Sequence, residues 1–345
     1  MLKAAVLGAT GNVGQIFVQL LNGHPWFKVS VVAASERSSG RTYLEASRWR
    51  QSTPIPEDIA DLGVVDIEPK AVENVDVVFS ALPSEVAGKT EEEFAKAGYV
   101  VVSNASAHRM EPDVPLLNPE INCDHVSLIE EQRKRRKWDG IIVTNPNCST
   151  SVLTLPLKPI YDNFGINRVV VSTMQAISGA GYPGVASLDI VDNVIPFIGK
   201  EEEKLETETL KILGSPKEPA NFTISASCHR VPTLDGHMMA VFIELKRDAD
   251  PDSVITAMEN FVGEPQKLKL PTAPAKPVVV RREENRPQTR LDRMEGGGMS
   301  AVVGRVRKDP VMGGVKFIAL GHNTIRGAAG CGVLNAEYLK AKKYI

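Results

Sequence analysis

The sequence predicts an α/β chain in two parts: a doubly wound parallel sheet, then a second α+β domain with a largely antiparallel mixed sheet. Three observations carry this reading. Short, continuously apolar runs alternate with helix-like segments through the first half, the pattern of a parallel sheet covered on both faces. A glycine-rich turn follows the first of these runs. Beyond residue 148 the strand candidates lengthen and turn signals begin to separate them.

Taken in order, residues 4–7 are a strand, followed by the glycine-rich turn and an amphipathic helix over 13–21. Further strands are expected at 29–34, 75–81 and 99–103, with a Glu-rich helix at 91–97 between the last two, and at 141–144. In the second part the strand candidates are 167–176, 222–231, 238–246, 301–306 and 315–321. The second and third of these flank a TLDG turn and read as a hairpin. The Pro-rich stretch 270–277 reads as a loop or extended arm rather than a linker. Residues 324–343 form a final amphipathic helix able to pack back on the first part. The domains are therefore 1–147, completed by 324–345, and 148–323.

Composition excludes several classes. A chain of 345 residues, 43% hydrophobic and 24% charged, has the make-up of an ordinary globular protein of two domains. A formal net charge of −2 gives no reason to expect nucleic acid or a membrane surface as partner. The basic run 133–137 follows Glu130 and Glu131 on one helix and reads as a solvated face near its C-terminus. Four cysteines without a CxxC pair make neither a disulfide framework nor a metal site. The chain enters a strand directly and carries no long apolar span, so a cytoplasmic protein with reduced thiols is expected.

Gly8, Gly11 and Gly14 form GATGNVG between the first strand and the first helix. Glycines there allow a tight turn and bring phosphate close to the N–H groups of a helix N-terminus, as in a Rossmann-type dinucleotide-binding fold. The second strand ends in AASERSSG. Glu36 offers a partner for a ribose 2′-hydroxyl. Arg37, with Ser35, Ser38 and Ser39, suits a 2′-phosphate better, because Arg supplies a bidentate fork and the serines supply hydroxyls. NADP is the expected cofactor.

In VTNPNCSTSVLTLPL, Cys148 follows a strand and a Pro-containing turn and opens a helix. Partial positive charge at a helix N-terminus favours thiolate, so a depressed pKa is expected, and the free N–H groups of that turn can hold an oxyanion. Cys123, Cys228 and Cys331 have no such context. Arg230 and His237, on either side of the proposed hairpin, would reach one end of the sheet together, the first to bind a carboxylate and the second to exchange protons with the thiol. Gln175 ends the strand that follows the Cys148 helix.

Together GATGNVG, SNASAHRM, NPNCST, Gln175 before SGAGYPG, EEEKLETET, HRVPTLDGH and GHNTIRGAAG resemble the aspartate-semialdehyde dehydrogenase family in its archaeal-type branch, over residues 2–338. The resemblance implies NADPH-dependent reductive dephosphorylation of L-aspartyl-4-phosphate to L-aspartate 4-semialdehyde through a cysteine thioester. That reaction belongs to the biosynthesis of lysine, threonine, methionine and diaminopimelate. It makes Cys148 the nucleophile, His237 the acid–base and Gln175 the residue that orients the substrate. Arg230 would hold the α-carboxylate, Glu201 the α-amino group, and Arg109 and Lys204 the phosphate. Three successive glutamates leave Glu202 as the alternative to Glu201. For the cofactor it points to Gly8, Thr10, Gly11, Asn12, Val13, Ser35, Arg37 and Ser38, to Ser80 and Pro83 on the nicotinamide side, to Ser178, Gly179, Ala180 and Gly181, and to Asn323. A homodimer or homotetramer built through the 148–323 catalytic domain is implied. Malonyl-CoA reductase is the alternative function; its substrate has no α-amino group, and the EEEK run argues against it, while N-acetylglutamyl-phosphate reductase is a more distant option. A reading of another class, an inactive NADP-binding sensor, leaves Cys148, Gln175, Arg230 and His237 without a purpose.

Overall fold

The computed structural model describes residues 1–345. Its first sheet is entirely parallel, in the order β3-β2-β1-β4-β5-β6. The strands are β1 (Leu2–Leu7), β2 (Phe27–Ala33), β3 (Val64–Val65), β4 (Val77–Ser80), β5 (Val100–Ser103) and β6 (Ile141–Thr144). The last three are buried at every position, which is why they read as unbroken apolar runs. Alternation in β1 sends Ala4 and Val6 into one apolar cluster and Ala5 and Leu7 into another, so the sheet is packed on both faces. Helix Asn12–Leu21 covers the first face and helix Ser84–Lys96 the second. The latter begins seven residues before the Glu-rich segment that signalled it. The two-residue edge strand β3 is too short to leave a periodic signal.

The second sheet has the order β10-β11-β12-β9-β7-β8, built from β7 (Ile166–Gln175), β8 (Thr223–Arg230), β9 (His237–Leu245), β10 (Val278–Arg281), β11 (Ala301–Lys308) and β12 (Val315–Gly321). Pairing is antiparallel for β11/β12, β12/β9 and β9/β7, and parallel for β10/β11 and β7/β8. The expected hairpin about TLDG is therefore not formed. β7 lies between β8 and β9 and pairs with both, so the turn passes over the end of β7 instead of joining neighbours. Helices Cys148–Phe164, Glu201–Leu213 and Pro251–Glu259 bury one face of this sheet, with Val152, Leu205 and Met258 in a single cluster. The other face, with Val170, Met174, Phe242 and Ile318, remains partly open.

The chain ends in a π-turn, Ile325–Ala329, and helix Gly330–Ala341. This helix is not amphipathic as expected. Residues 330–339 are buried on every side. Val333, Ala336 and Leu339 pack on the first sheet's cluster, while Leu334 and Tyr338 meet Leu270 and Met299. The stretch 270–277 is a loop, tied down where Thr272 donates twice to Glu337. Of the basic run, Arg136 is drawn into ion pairs with Asp113, Glu111 and Glu92. No helix is long and apolar enough to cross a membrane.

Candidate active site

Cys148 is the first residue of its helix, and the cap is Asn147, whose side chain accepts from the N–H groups of Ser149 and Thr150 at 2.9 and 3.3 Å. β7, β8 and β9 end or begin beside it. Gln175 pairs with Arg230 across β7/β8, and His237 opens β9 next door. The sulphur lies 3.2 Å from His237 Nε2. Arg230 and His237 thus do meet at one end of the sheet, but through the intervening β7 rather than through a hairpin. The loop after β7 closes over them: a Cβ on Gly179 would lie 2.8 Å from the Arg230 guanidinium and 3.1 Å from His237 Nε2, so a larger residue there would press on both side chains.

The electrostatics depart from the expected thiolate. Although Cys148 keeps part of its surface open, burial pushes its thiol up to about 12, and the Glu201 carboxylate adds to the rise. Arg230, Arg109 and the Ser149 N–H oppose these two without overcoming them. The helix N-terminus acts in the expected direction but is outweighed. Burial, then Arg230, hold His237 down at about 3, so its ring is neutral. The Ala176 N–H donates to Nδ1 at 3.1 Å, which assigns the ring's proton to Nε2, facing the sulphur. His237 is therefore a donor toward Cys148 in this state, not a vacant base.

Glu201 and Glu202 differ in their packing. Glu201 is buried, accepts from Asn147 Nδ2 at 2.8 Å and stands 3.9 Å from the Cys148 sulphur, whereas Glu202 accepts from the Cys228 N–H. Lys204 is half-buried one turn along the same helix. Arg109 is buried and paired at 3.0 Å with Glu208, with Nη2 donating to the Asn104 carbonyl. Arg230 donates to the Ala176 carbonyl at 2.7 Å. Gln175 is buried, and its amide donates to Thr173 rather than to Cys148. Asn147, Glu208 and Gly327 were not singled out in the sequence. A Cβ on Gly327 would lie 2.7 Å from that of Cys148, so the π-turn is pressed directly behind the nucleophile. The one available signal was the spacing of Glu208, seven residues and so two turns beyond Glu201.

The cofactor positions fit a dinucleotide at the sheet's switch point between β1 and β4. Gly8 has φ +70°, and a Cβ there would lie 2.8 Å from the Ala81 carbonyl. A Cβ on Gly14 would lie 2.2 Å from the Gly8 carbonyl. No side chain caps Gly11, and the first bond of the helix runs from Gln15 to Gly11, so the N–H groups of Asn12 and Val13 stay available to a phosphate. Ser35, Glu36 and Arg37 line a cavity of about 570 Å³ with Asp66 and Glu68. Asn12, Ser178 and Gly181 line another of about 610 Å³ between the two halves of the chain. Thr10, in the glycine turn, and Ser38, next to Arg37 in the first cavity's loop, are half-buried, and Pro83 and Ala180 are exposed. Two further positions make internal hydrogen bonds. The Ser80 hydroxyl is fully buried and donates to Glu91. The Asn323 amide bridges Gly236 and Ser178, the latter one of the loop positions expected at the cofactor.

Fold and site together define a two-domain nicotinamide-dependent dehydrogenase with a cysteine at the domain junction. Family models described as "Semialdehyde dehydrogenase, NAD binding domain" and "Semialdehyde dehydrogenase, dimerisation domain" match residues 3–129 and 157–326. The chain belongs to the semialdehyde dehydrogenase family. It is 57% identical to an aspartate-semialdehyde dehydrogenase of Methanothermobacter thermautotrophicus, over 98% of this chain and 99% of that one. It is 46% identical to a malonyl-CoA reductase (NADP) of Metallosphaera sedula, over 100% and 98%. A crystal structure of aspartate-semialdehyde dehydrogenase with NADP from Candida albicans superposes with a TM-score of 0.92, at 41% identity and full coverage of both chains.

Proposed function

We propose that the protein reduces L-aspartyl-4-phosphate to L-aspartate 4-semialdehyde, releasing phosphate and consuming NADPH. The observation that carries this reading is the 3.2 Å Cys148–His237 contact within a ring of complementary charge: Arg230, Arg109 and Glu201. The Cys148 sulphur attacks the acyl carbon; the C–S bond forms, the C–O bond to the phosphate oxygen breaks, and the thiol's proton leaves with phosphate as hydrogen phosphate. Bound on the first sheet, NADPH would supply the hydride that reduces the resulting thioester to the aldehyde. As the sulphur departs, the Nε2–H of His237 stabilises its returning charge, and the same N–H can donate to the substrate oxygen. Arg230 holds the α-carboxylate, Glu201 the ammonium, Arg109 and Lys204 the phosphate, and Gln175 orients the acyl group. Residues 1–147 with 324–345 bind the cofactor, and 148–323 carry the chemistry. The partly open sheet face bearing Val170, Met174 and Phe242 supports a homodimer or homotetramer. Four free thiols suit a cytoplasmic location.

The test is oxidation of aspartate semialdehyde with NADP and phosphate. Lys204→Ala should raise the KM for phosphate on the order of tenfold, as loss of one charge-assisted contact implies, and that for the semialdehyde less. Glu201→Ala should do the reverse. Turnover of malonyl-CoA without phosphate-dependent oxidation of the semialdehyde would replace this substrate and leave the thioester chemistry standing.

Cofactor choice has its own expected result. Arg37→Ala should weaken NADP by roughly 10- to 100-fold, the worth of one charge-assisted pair, and leave NAD affinity nearly unchanged. Titration by fluorescence measures both, and equal losses would show that Arg37 does not meet the 2′-phosphate.

A further inference from the structure

Glu208 has no role in the reading above, yet it joins two parts of the site. It is 1% exposed. One carboxylate oxygen accepts from Arg109 Nη1 at 3.0 Å, and the other accepts from the Asn147 backbone N–H at 2.6 Å. Asn147 is the cap of the Cys148 helix and also donates to Glu201. Two carboxylates, two turns apart on one helix face, therefore end on the residue that precedes the nucleophile.

Arg109 is held from three directions. Glu208 takes Nη1, the Asn104 carbonyl takes Nη2, and Lys211 fixes the main chain by donating to the carbonyls of Arg109, Glu111 and Val114 at 2.7, 2.8 and 3.1 Å. The Arg109 Nε is buried and without a partner. A guanidinium gripped at both terminal nitrogens cannot swing, so its remaining N–H groups have fixed directions. An ion pair that served stability alone would not need its second oxygen on the nucleophile's cap.

We propose that Glu208 is a positioning residue for the phosphate step. It aims Arg109 at the phosphate and ties that arginine to the backbone that carries Cys148, so that anion and sulphur are registered against each other. This rests on the reading that Arg109 meets phosphate.

A double-mutant cycle tests it, using Arg109→Lys, Glu208→Gln and the pair, with aspartate semialdehyde, NADP and phosphate as substrates. Glu208→Gln is nearly isosteric, and unchanged NADP affinity certifies that each variant is folded. Glu208→Gln should raise the KM for phosphate on the order of tenfold, the size of one lost charge-assisted contact, with the KM for the semialdehyde within about twofold. In the Arg109→Lys background the same change should add little, because its route is gone. Independent, multiplying effects would overturn the proposal. So would a lower phosphate KM, which would make Glu208 a competitor for Arg109, and so would unchanged kinetics with reduced thermal stability. If Arg109→Lys alone leaves the phosphate KM unchanged, the phosphate reading of Arg109 fails first and the proposal falls with it.

Discussion

Cys148→Ala should lower kcat by on the order of 10⁴-fold or more, the scale seen when a catalytic nucleophile is removed, while NADP binds within about twofold of the native protein. The two readouts separate because the glycine turn and the Arg37 loop lie on the first sheet, away from the Cys148 helix. Alkylation by iodoacetamide reports the state of the thiol itself. With the thiol pushed up to about 12 by burial and then by Glu201, the reactive thiolate gains about tenfold per pH unit through the neutral and alkaline range. No plateau is expected near pH 8.5, the ordinary cysteine value. Glu201→Gln removes the second cause of the elevation. It should therefore speed alkylation of Cys148 at pH 8 even as it slows turnover. Slower alkylation in that variant would mean that the carboxylate takes the thiol's proton, and the electrostatic account would be wrong.

The thiol shows where sequence reasoning stops. A helix N-terminus is visible in NPNCST, and its influence has the expected sign. Burial and the Glu201 contact arise from segments 53 residues apart, and no local pattern contains them. The first sheet was legible because parallel strands buried on both faces leave unbroken apolar runs, as in 77–80, 100–103 and 141–144. The second sheet's order was not. A short turn between two apolar runs reads as a hairpin, but β7 pairs with both β8 and β9, and insertion of a strand between sequence neighbours leaves no mark near the turn. The EEEK run was ambiguous for a similar reason. Three consecutive residues fan around most of a helix, and only packing against Asn147 on one side and Cys228 on the other separates Glu201 from Glu202.

Glu120→Ala should cost about 3–5 kcal/mol of stability, because it strands a guanidinium that the fold has removed from water. Arg326 and Glu120 are both buried, joined by two parallel bonds of 2.7 Å, and Asn118 also accepts from Arg326. The pair spans the molecule: Glu120 precedes the last strand of the first sheet, and Arg326 lies in the π-turn after the last strand of the second. Asn118 continues the connection, its amide donating to the Ser151 carbonyl and Thr154 hydroxyl of the Cys148 helix. Gly327, next to Arg326, presses on Cys148 from behind. Loss of Glu120 should therefore lower the urea midpoint and also depress kcat in the protein that remains folded, with NADP affinity less affected. Replacing both partners, as Glu120→Leu with Arg326→Met, removes the desolvated charges together. That variant should regain most of the stability, because apolar groups of similar volume substitute well for a buried ion pair. It should not regain kcat, since the fork that sets the π-turn against the nucleophile is gone. A double variant no more stable than Glu120→Ala alone would show that the pair organises packing which apolar side chains cannot replace.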